Sequence, residues 1–182
     1  MTFPTNLTSV AFAGVLEEYR FYVREERAVP GDDTTELRPR LARARMFPGT
    51  EVPYLADVTN AKVDISDNIL DLQVAIGVDT DNDGVLVDLG DETDEWLYNS
   101  ADPPDDDEAA VWNQANRKLF YLRLNTLART ERREWSYRSP PVTALEDHAY
   151  DEQVVPADEA ERQERMFHRR LLQTVVDMRN VT

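Results

Sequence analysis

Apolar and polar residues alternate at period two in five stretches of the chain, a spacing that predicts antiparallel strands rather than helices. The clearest stretch puts Leu70, Leu72, Val74, Ile76 and Val78 on one face and Asp71, Gln73, Ala75 and Gly77 on the other. Val15 to Glu25 repeats the pattern, with Val15, Tyr19, Phe21 and Val23 opposite Glu18, Arg20, Tyr22 and Arg24. Pro30-Gly31-Asp32-Asp33 forms a turn. Leu37 to Phe47 returns as the antiparallel partner, Ala42, Ala44 and Met46 on one side and Arg43 and Arg45 on the other. Leu119 to Arg129 aligns Phe120, Leu122, Leu124, Thr126 and Ala128, and Arg170 to Asn180 closes the chain with Leu172, Thr174, Val176 and Met178 inward. Trp96 and Tyr98 mark one further short strand or rim.

Helical signals are few. A helical turn is expected over Ser66 to Leu72, capped by Asp64 or Ser66. Ala109 to Asn116 follows Pro103-Pro104 and the acidic run Asp105 to Glu108, whose charges suit a helix N-terminus. Ala157 to Met166 offers Asp158–Arg162 and Glu161–Arg165 at i,i+4 spacing. These helices are too polar to cover an apolar sheet face, so the pattern predicts a face that needs another cover. The expected fold class is α+β: an antiparallel sheet with short helices, one domain over residues 1–182, and an acidic loop insertion at about 79–116.

The strand at Leu70 to Val78 empties into Asp79-Thr80-Asp81-Asn82-Asp83-Gly84. This D-x-D-x-D-G spacing sets oxygens at loop positions 1, 3 and 5, a backbone carbonyl near Val85 at position 7, and a glycine at 6 for the sharp turn that a hard cation such as Ca2+ needs. Position 12, where a bidentate Glu belongs, is Gly90. Asp88, Asp91, Glu92, Asp94 and Glu95 lie close enough to complete a site; Asp79, Asp81, Asp83, Val85, Asp91 and Glu92 are the candidate ligand set. A solvated turn explains the same residues, because Asp, Asn and Gly favour turns for local reasons.

The charge sharpens this picture. The net charge is −16, and Val63 to Asn116 holds 16 acidic residues without a single Lys or Arg, while the remaining 20 acidic residues balance the 20 basic ones. An acidic block of that kind repels phosphates and argues against nucleic acid; cations or a basic protein surface are better partners. No cysteine is present, which excludes disulfides and thiolate-bound metals. No run of about 18 apolar residues occurs, and no signal peptide opens the sequence, which leaves a cytosolic protein or one whose targeting segment lies ahead of Met1.

LDLQVAIGVDTDNDG followed by DEW, then RKLFYLRLNTLART, and last FHRRLLQTVVDMRN resemble, in order and spacing, the soluble region of PilW-type minor pilins of type IV pilus systems. The likeness covers about two thirds of the chain, and Arg169, Arg170, Thr174, Val175, Arg179 and Asn180 are its most specific part. The segment from VLEEYRFYVRE to LARARMFPGT resembles the preceding strand pair of that family. The resemblance implies an extracytoplasmic pilin-like head on the cell envelope, membrane-anchored before assembly by an N-terminal hydrophobic helix that packs on the sheet. That helix has no counterpart in this sequence. Its implied partners are other major and minor pilins and the inner membrane; neither nucleic acid nor a small-molecule substrate is expected.

An enzyme is not expected. His148 and His168 lack the spacing of a metal pair, and there is no cysteine nucleophile, phosphate-cradling glycine loop or G-x-S-x-G elbow. His168 reads as a sheet or rim residue, and Trp96, Trp112 and Trp135 as core or rim packing. The leading function is a structural minor pilin acting in pilus assembly, initiation or the tip, and so in adhesion or motility. A calcium-dependent adhesion or ligand-binding module and a pseudopilin of a type II secretion system are the alternatives.

Overall fold

The computed structural model describes residues 17–47, 62–79, 81, 83–87, 95–99 and 118–178. Strands β1 (Glu18–Arg27) and β2 (Leu37–Met46) pair antiparallel, from Glu18 opposite Met46 to Arg27 opposite Leu37. The turn between them holds Gly31 at φ +81° and an Asp32 carboxylate that accepts the Thr34 N–H and hydroxyl. β3 (Lys62–Asp67) joins the other edge of β2 with a bulge at Leu41/Ala42, giving the order β1-β2-β3. Asn68, at φ 60°, then turns the chain directly into β4 (Ile69–Asp79). Asparagine tolerates that left-handed conformation, so strand, turn and strand replace the helical turn expected over Ser66 to Leu72.

β4 is flanked by β5 (Trp96–Leu97) and β6 (Lys118–Arg129), and β9 (Arg169–Asp177) pairs with the far side of β6. The four-stranded order is β5-β4-β6-β9, antiparallel throughout. Between β6 and β9 lie a small hairpin, β7 (Ala144–Leu145) with β8 (His148–Ala149), and one short helix, α1 (Glu159–Glu164). The two larger sheets are stitched together by main-chain bonds from Asn68 N to Pro39 O (2.7 Å) and Arg129 N to Asn68 O (2.9 Å).

The expected α+β, pilin-like architecture is therefore corrected. Strand makes up 52% of the described structure against 5% helix, and among the described residues no helix reaches seven residues and the strands form several antiparallel sheets. The physical reason is local. α1 is a single polar stretch capped by Asp158, whose carboxylate accepts the Glu161 N–H, and it buries no residue of its own. A six-residue helix without a buried stripe cannot serve as a layer. Of its predicted ion pairs Glu161–Arg165 forms (3.4 Å), whereas Arg162 turns to Glu159 (2.9 Å) because Asp158 is occupied as the cap. The helix expected over Ala109 to Asn116 lies outside the described residues.

The strand alternation is as predicted, but which face is buried is not. Directly opposed residues Leu72, Val74 and Ile76 on β4, Thr126, Leu124 and Leu122 on β6, and Leu172, Thr174 and Val176 on β9 share one face. None of these nine is buried, and Leu172 and Val176, expected to point inward, are 45% and 39% exposed. The covered face is the polar one: Asp71, Ala75 and Gly77 on β4, Asn125, Leu127 and Arg129 on β6. Partners from the β6–β9 connection make this possible. Glu146 receives the Arg123 fork at 2.8 Å from both Nε and Nη2, and Glu164 receives Arg129 at 2.5 and 2.7 Å. Glu152 receives Arg169 at 2.6 and 2.8 Å. Arg129 also donates to Leu37 O (3.1 Å) and lies over the ring of the fully buried Phe167, which ties β6 to β2 and to α1.

Candidate functional site

β4 delivers its last residue, Asp79, into the interior (2% exposed), while Asp81 and Asp83 stand in solvent. The chain reverses over them. The Asp83 N–H donates to Asp81 Oδ1 (3.0 Å), Val85 N–H to Asp83 Oδ1 (2.7 Å) and Gly84 N–H to Asp79 Oδ2 (3.1 Å). Gly84 sits at φ +83°, the conformation that a side chain would strain. One carboxylate oxygen from each aspartate lies within 4.8 Å of the others, an arrangement that could hold a metal ion. Hard oxygen donors of this kind suit a cation such as Ca2+ or Mg2+ rather than a soft metal.

Three of the six candidate ligands thus converge. Val85 follows directly, and because its side chain is hydrocarbon its carbonyl is the only ligand it could offer. Asp91 and Glu92 lie outside the described residues, as do Asp88 and Asp94. Glu95, the remaining alternative, is buried at 4% exposure and closes the far end of the loop: Val87 N–H donates to its Oε2 (3.1 Å), Glu95 N–H to Val87 O (2.9 Å) and Val78 N–H to Glu95 O (2.9 Å). Its role is to pin the loop's exit against β4.

Alternation concealed a second cluster. Asp71, on the covered face of β4 and 7% exposed, accepts four hydrogen bonds: from Leu72 N–H (2.8 Å), Gln73 Nε2 (2.9 Å), His148 Nδ1 (2.7 Å) and Tyr150 Oη (2.5 Å). A carboxylate can only accept, so Nδ1 carries the imidazole proton. His148 stacks on Tyr150 with ring centroids 4.5 Å apart. Burial, followed by the bond to Asp71, raises the Tyr150 phenol well above its ordinary value. Of the cluster, His148 and Tyr150 line a cleft of about 310 Å³ together with Arg129, Arg169, Glu152 and Glu164. Each arginine there already holds a glutamate, so the cleft is a charge-paired joint between the sheet, the hairpin and α1. Only the i,i+2 pair His148 and Tyr150 signalled it locally; Asp71 lies 77 and 79 residues away.

His168 is a rim residue, stacked on Tyr137 (3.7 Å between centroids) with Nε2 2.8 Å from Glu134. Trp96 is half-buried beneath the Arg123 guanidinium (4.4 Å), but Trp135 is 77% exposed and packs no core. Trp112 lies outside the described residues. No helix among the described residues is long and apolar enough to cross a membrane. Comparison with family models, with curated proteins and with solved structures gives no match.

Proposed function

We propose that this chain is a structural subunit of a type IV pilus, a minor pilin that joins other major and minor pilins at the cell envelope during assembly, initiation or tip formation and so serves adhesion or motility. One observation carries the reading. The three segments that resemble PilW-type proteins become β4, β6 and β9, neighbours in a single sheet, and their aliphatic side chains are gathered on a face where Leu72, Ile76, Leu122 and Leu124 are half-buried and Val74, Leu172 and Val176 exposed. A contiguous apolar surface of this kind marks an interaction site. Apolar surface from neighbouring pilins is the cover that this function supplies. The reading is of function and sequence likeness; the β-rich architecture stands as described.

Ca2+ fits as a stiffener of the loop beside this face. Asp79, Asp81 and Asp83 repel one another, and a bound divalent cation removes that repulsion. The Val85 carbonyl and one of Asp91 or Glu92 complete the proposed set, with the affinity of extracellular modules, on the order of 10⁻⁴ to 10⁻³ M. The same three carboxylates favour the second reading, a calcium-dependent adhesion module that builds no filament.

The deciding experiment deletes the gene and complements it with wild type or with Val74→Glu and Leu124→Glu, which place charge in the middle of the aliphatic face. Loss of surface pili and twitching on deletion, restored by wild type and not by the face variants although they accumulate normally, is the expected result. Full piliation in the deletion strain refutes the pilus role. A prepilin cleavage site encoded ahead of the chain favours a pilin or a pseudopilin; a secretory signal favours the adhesion module.

A further inference from the structure

The cleft beside His148 and Tyr150 is walled by charge, and most of that charge is spent within the fold. Arg129 gives Nη1 to Glu164 (2.7 Å) and Nη2 to Leu37 O (3.1 Å), which leaves only its Nε without a partner. Glu161 accepts the Ala157 N–H (2.6 Å) and lies 3.4 Å from Arg165. Glu152 accepts the Val142 N–H (2.8 Å) as well as Arg169. Two groups of the lining remain unspent. Arg169 meets Glu152 end-on, through Nη1 alone, so the parallel fork of Nε and Nη2 has no partner among the described residues although the side chain is only 8% exposed. Arg123 shows what such a fork takes, since its Nε and Nη2 each lie 2.8 Å from an oxygen of Glu146. The second group is the carboxylate of Glu25, which lines the same cleft from β1 and holds no partner among the described residues.

We propose that this cleft binds a free α-amino acid with an aliphatic side chain, its carboxylate on the Arg169 fork and its ammonium on Glu25. Charge selects the zwitterion. Four glutamates line the cleft against two arginines, so a simple anion is repelled, while a simple cation leaves a buried fork unsatisfied. A ligand with one charge of each sign answers both. In the neutral imidazole, His148 keeps Nε2 as a further acceptor, because Nδ1 is the nitrogen held by Asp71. Pro39, Leu70 and Leu127 supply the apolar part of the lining. Leu70 is there through a bulge: the register with β6 passes from Ile69 to Asp71 and skips it. A volume of about 310 Å³ stands at the small end of ligand sites and suits one amino acid rather than a peptide. The cleft lies on the side of the sheet that carries Leu127, Arg129 and Arg169, opposite the aliphatic face, so it serves whether or not the chain enters a filament.

Calorimetric titration of the full chain with leucine tests the site, and a saturable heat for one molecule per chain is expected. N-acetyl-leucine lacks the ammonium and leucinamide lacks the carboxylate; each should bind at least about tenfold more weakly. Glu25→Gln should weaken leucine by a similar factor and should not weaken N-acetyl-leucine further. Arg169→Lys keeps a charge for Glu152 without a fork, so it should weaken leucine and leave leucinamide unchanged. Should Arg169→Lys misfold, the two analogues and Glu25→Gln decide, since Glu25 is exposed and its removal breaks no bond of the fold. The site is overturned if leucine, isoleucine and valine all give no saturable heat at millimolar concentration. Binding of either analogue as tightly as leucine, or unchanged leucine affinity in Glu25→Gln, overturns it equally.

Discussion

Asp71→Ala tests whether a buried polar cluster, rather than aliphatic packing, fixes the β7–β8 hairpin to the sheet. Two of the four donors to Asp71 come from its own stretch of β4 and two, His148 and Tyr150, from across the fold. A hydrogen bond to a charged acceptor contributes about 1.5–3 kcal/mol. The His148 side chain is 49% exposed, so water takes over its donor once the carboxylate is gone, and its share falls to the low end. Removing Asp71 also removes the cost of desolvating it. Together these leave a loss of about 2–3 kcal/mol, or a fall in Tm of roughly 4–12 °C for a domain of this size.

Urea unfolding is the assay, run beside Tyr150→Phe, which keeps the ring and its stacking and should cost about 1–1.5 kcal/mol. The double variant should fall short of the sum, because both changes remove the same bond. The alkaline limb gives an independent reading. Burial and Asp71 hold the Tyr150 phenol above its ordinary value near 10, so the protonated ring is the form that the fold favours. Its contribution is intact below about pH 10 and is lost as pH rises from there through the folded-state value. In Asp71→Ala that loss should be shallower. A stability within about 0.5 kcal/mol of wild type and an unchanged alkaline limb would together refute the cluster as the clasp.

Millimolar Ca2+ should raise Tm, and Asp81→Ala should abolish the rise without lowering Tm in chelator; no shift in wild type discards the metal. Arg165, 3% exposed, spends its guanidinium on Ser139 O (3.0 and 2.9 Å) and Gln153 O (2.5 Å), a fork that an ammonium cannot reproduce, so Arg165→Lys should cost about 2–4 kcal/mol in urea unfolding. Hydrogen bonds from Arg24, then from Arg40, hold the Asp64 carboxyl below its ordinary value. Its contribution is therefore present above about pH 4 and lost as pH falls through the folded-state value. Asp64→Asn should flatten the acid limb of the stability profile, and an unaltered acid limb would count against the arginine bridge between β1, β2 and β3.

The strands were legible because period-two alternation is a local property: Leu70 to Val78, Leu37 to Phe47 and Leu119 to Arg129 each announce themselves within about ten residues. The same locality explains the carboxylate loop, where Asp79, Asp81, Asp83 and Gly84 lie within six residues and fold on one another. Helix content was overestimated where turn chemistry competed. Ser66 to Leu72 contains Asn68, whose left-handed backbone begins a strand instead of a helix. The buried side of the sheet was not legible at all. Alternation shows that two faces differ and not which one meets the interior, and the choice here was made by Glu146, Glu152 and Glu164, which lie 17 to 35 residues from the arginines that they hold.

That choice bears on what the molecule is for. Burying Arg123, Arg129 and Arg169 is tolerable only because each is matched by a glutamate; a buried ion pair replaced by aliphatic packing is often no less stable. A sheet that served only its own stability could have turned Leu72, Val74, Ile76, Leu122, Leu124 and Val176 inward and left the ion pairs in water, at a gain of about 25 cal/mol for each Å² of apolar surface covered. The opposite arrangement leaves Val74, Leu172 and Val176 exposed, and Leu72, Ile76, Leu122 and Leu124 only half-buried, on a charge-clamped platform.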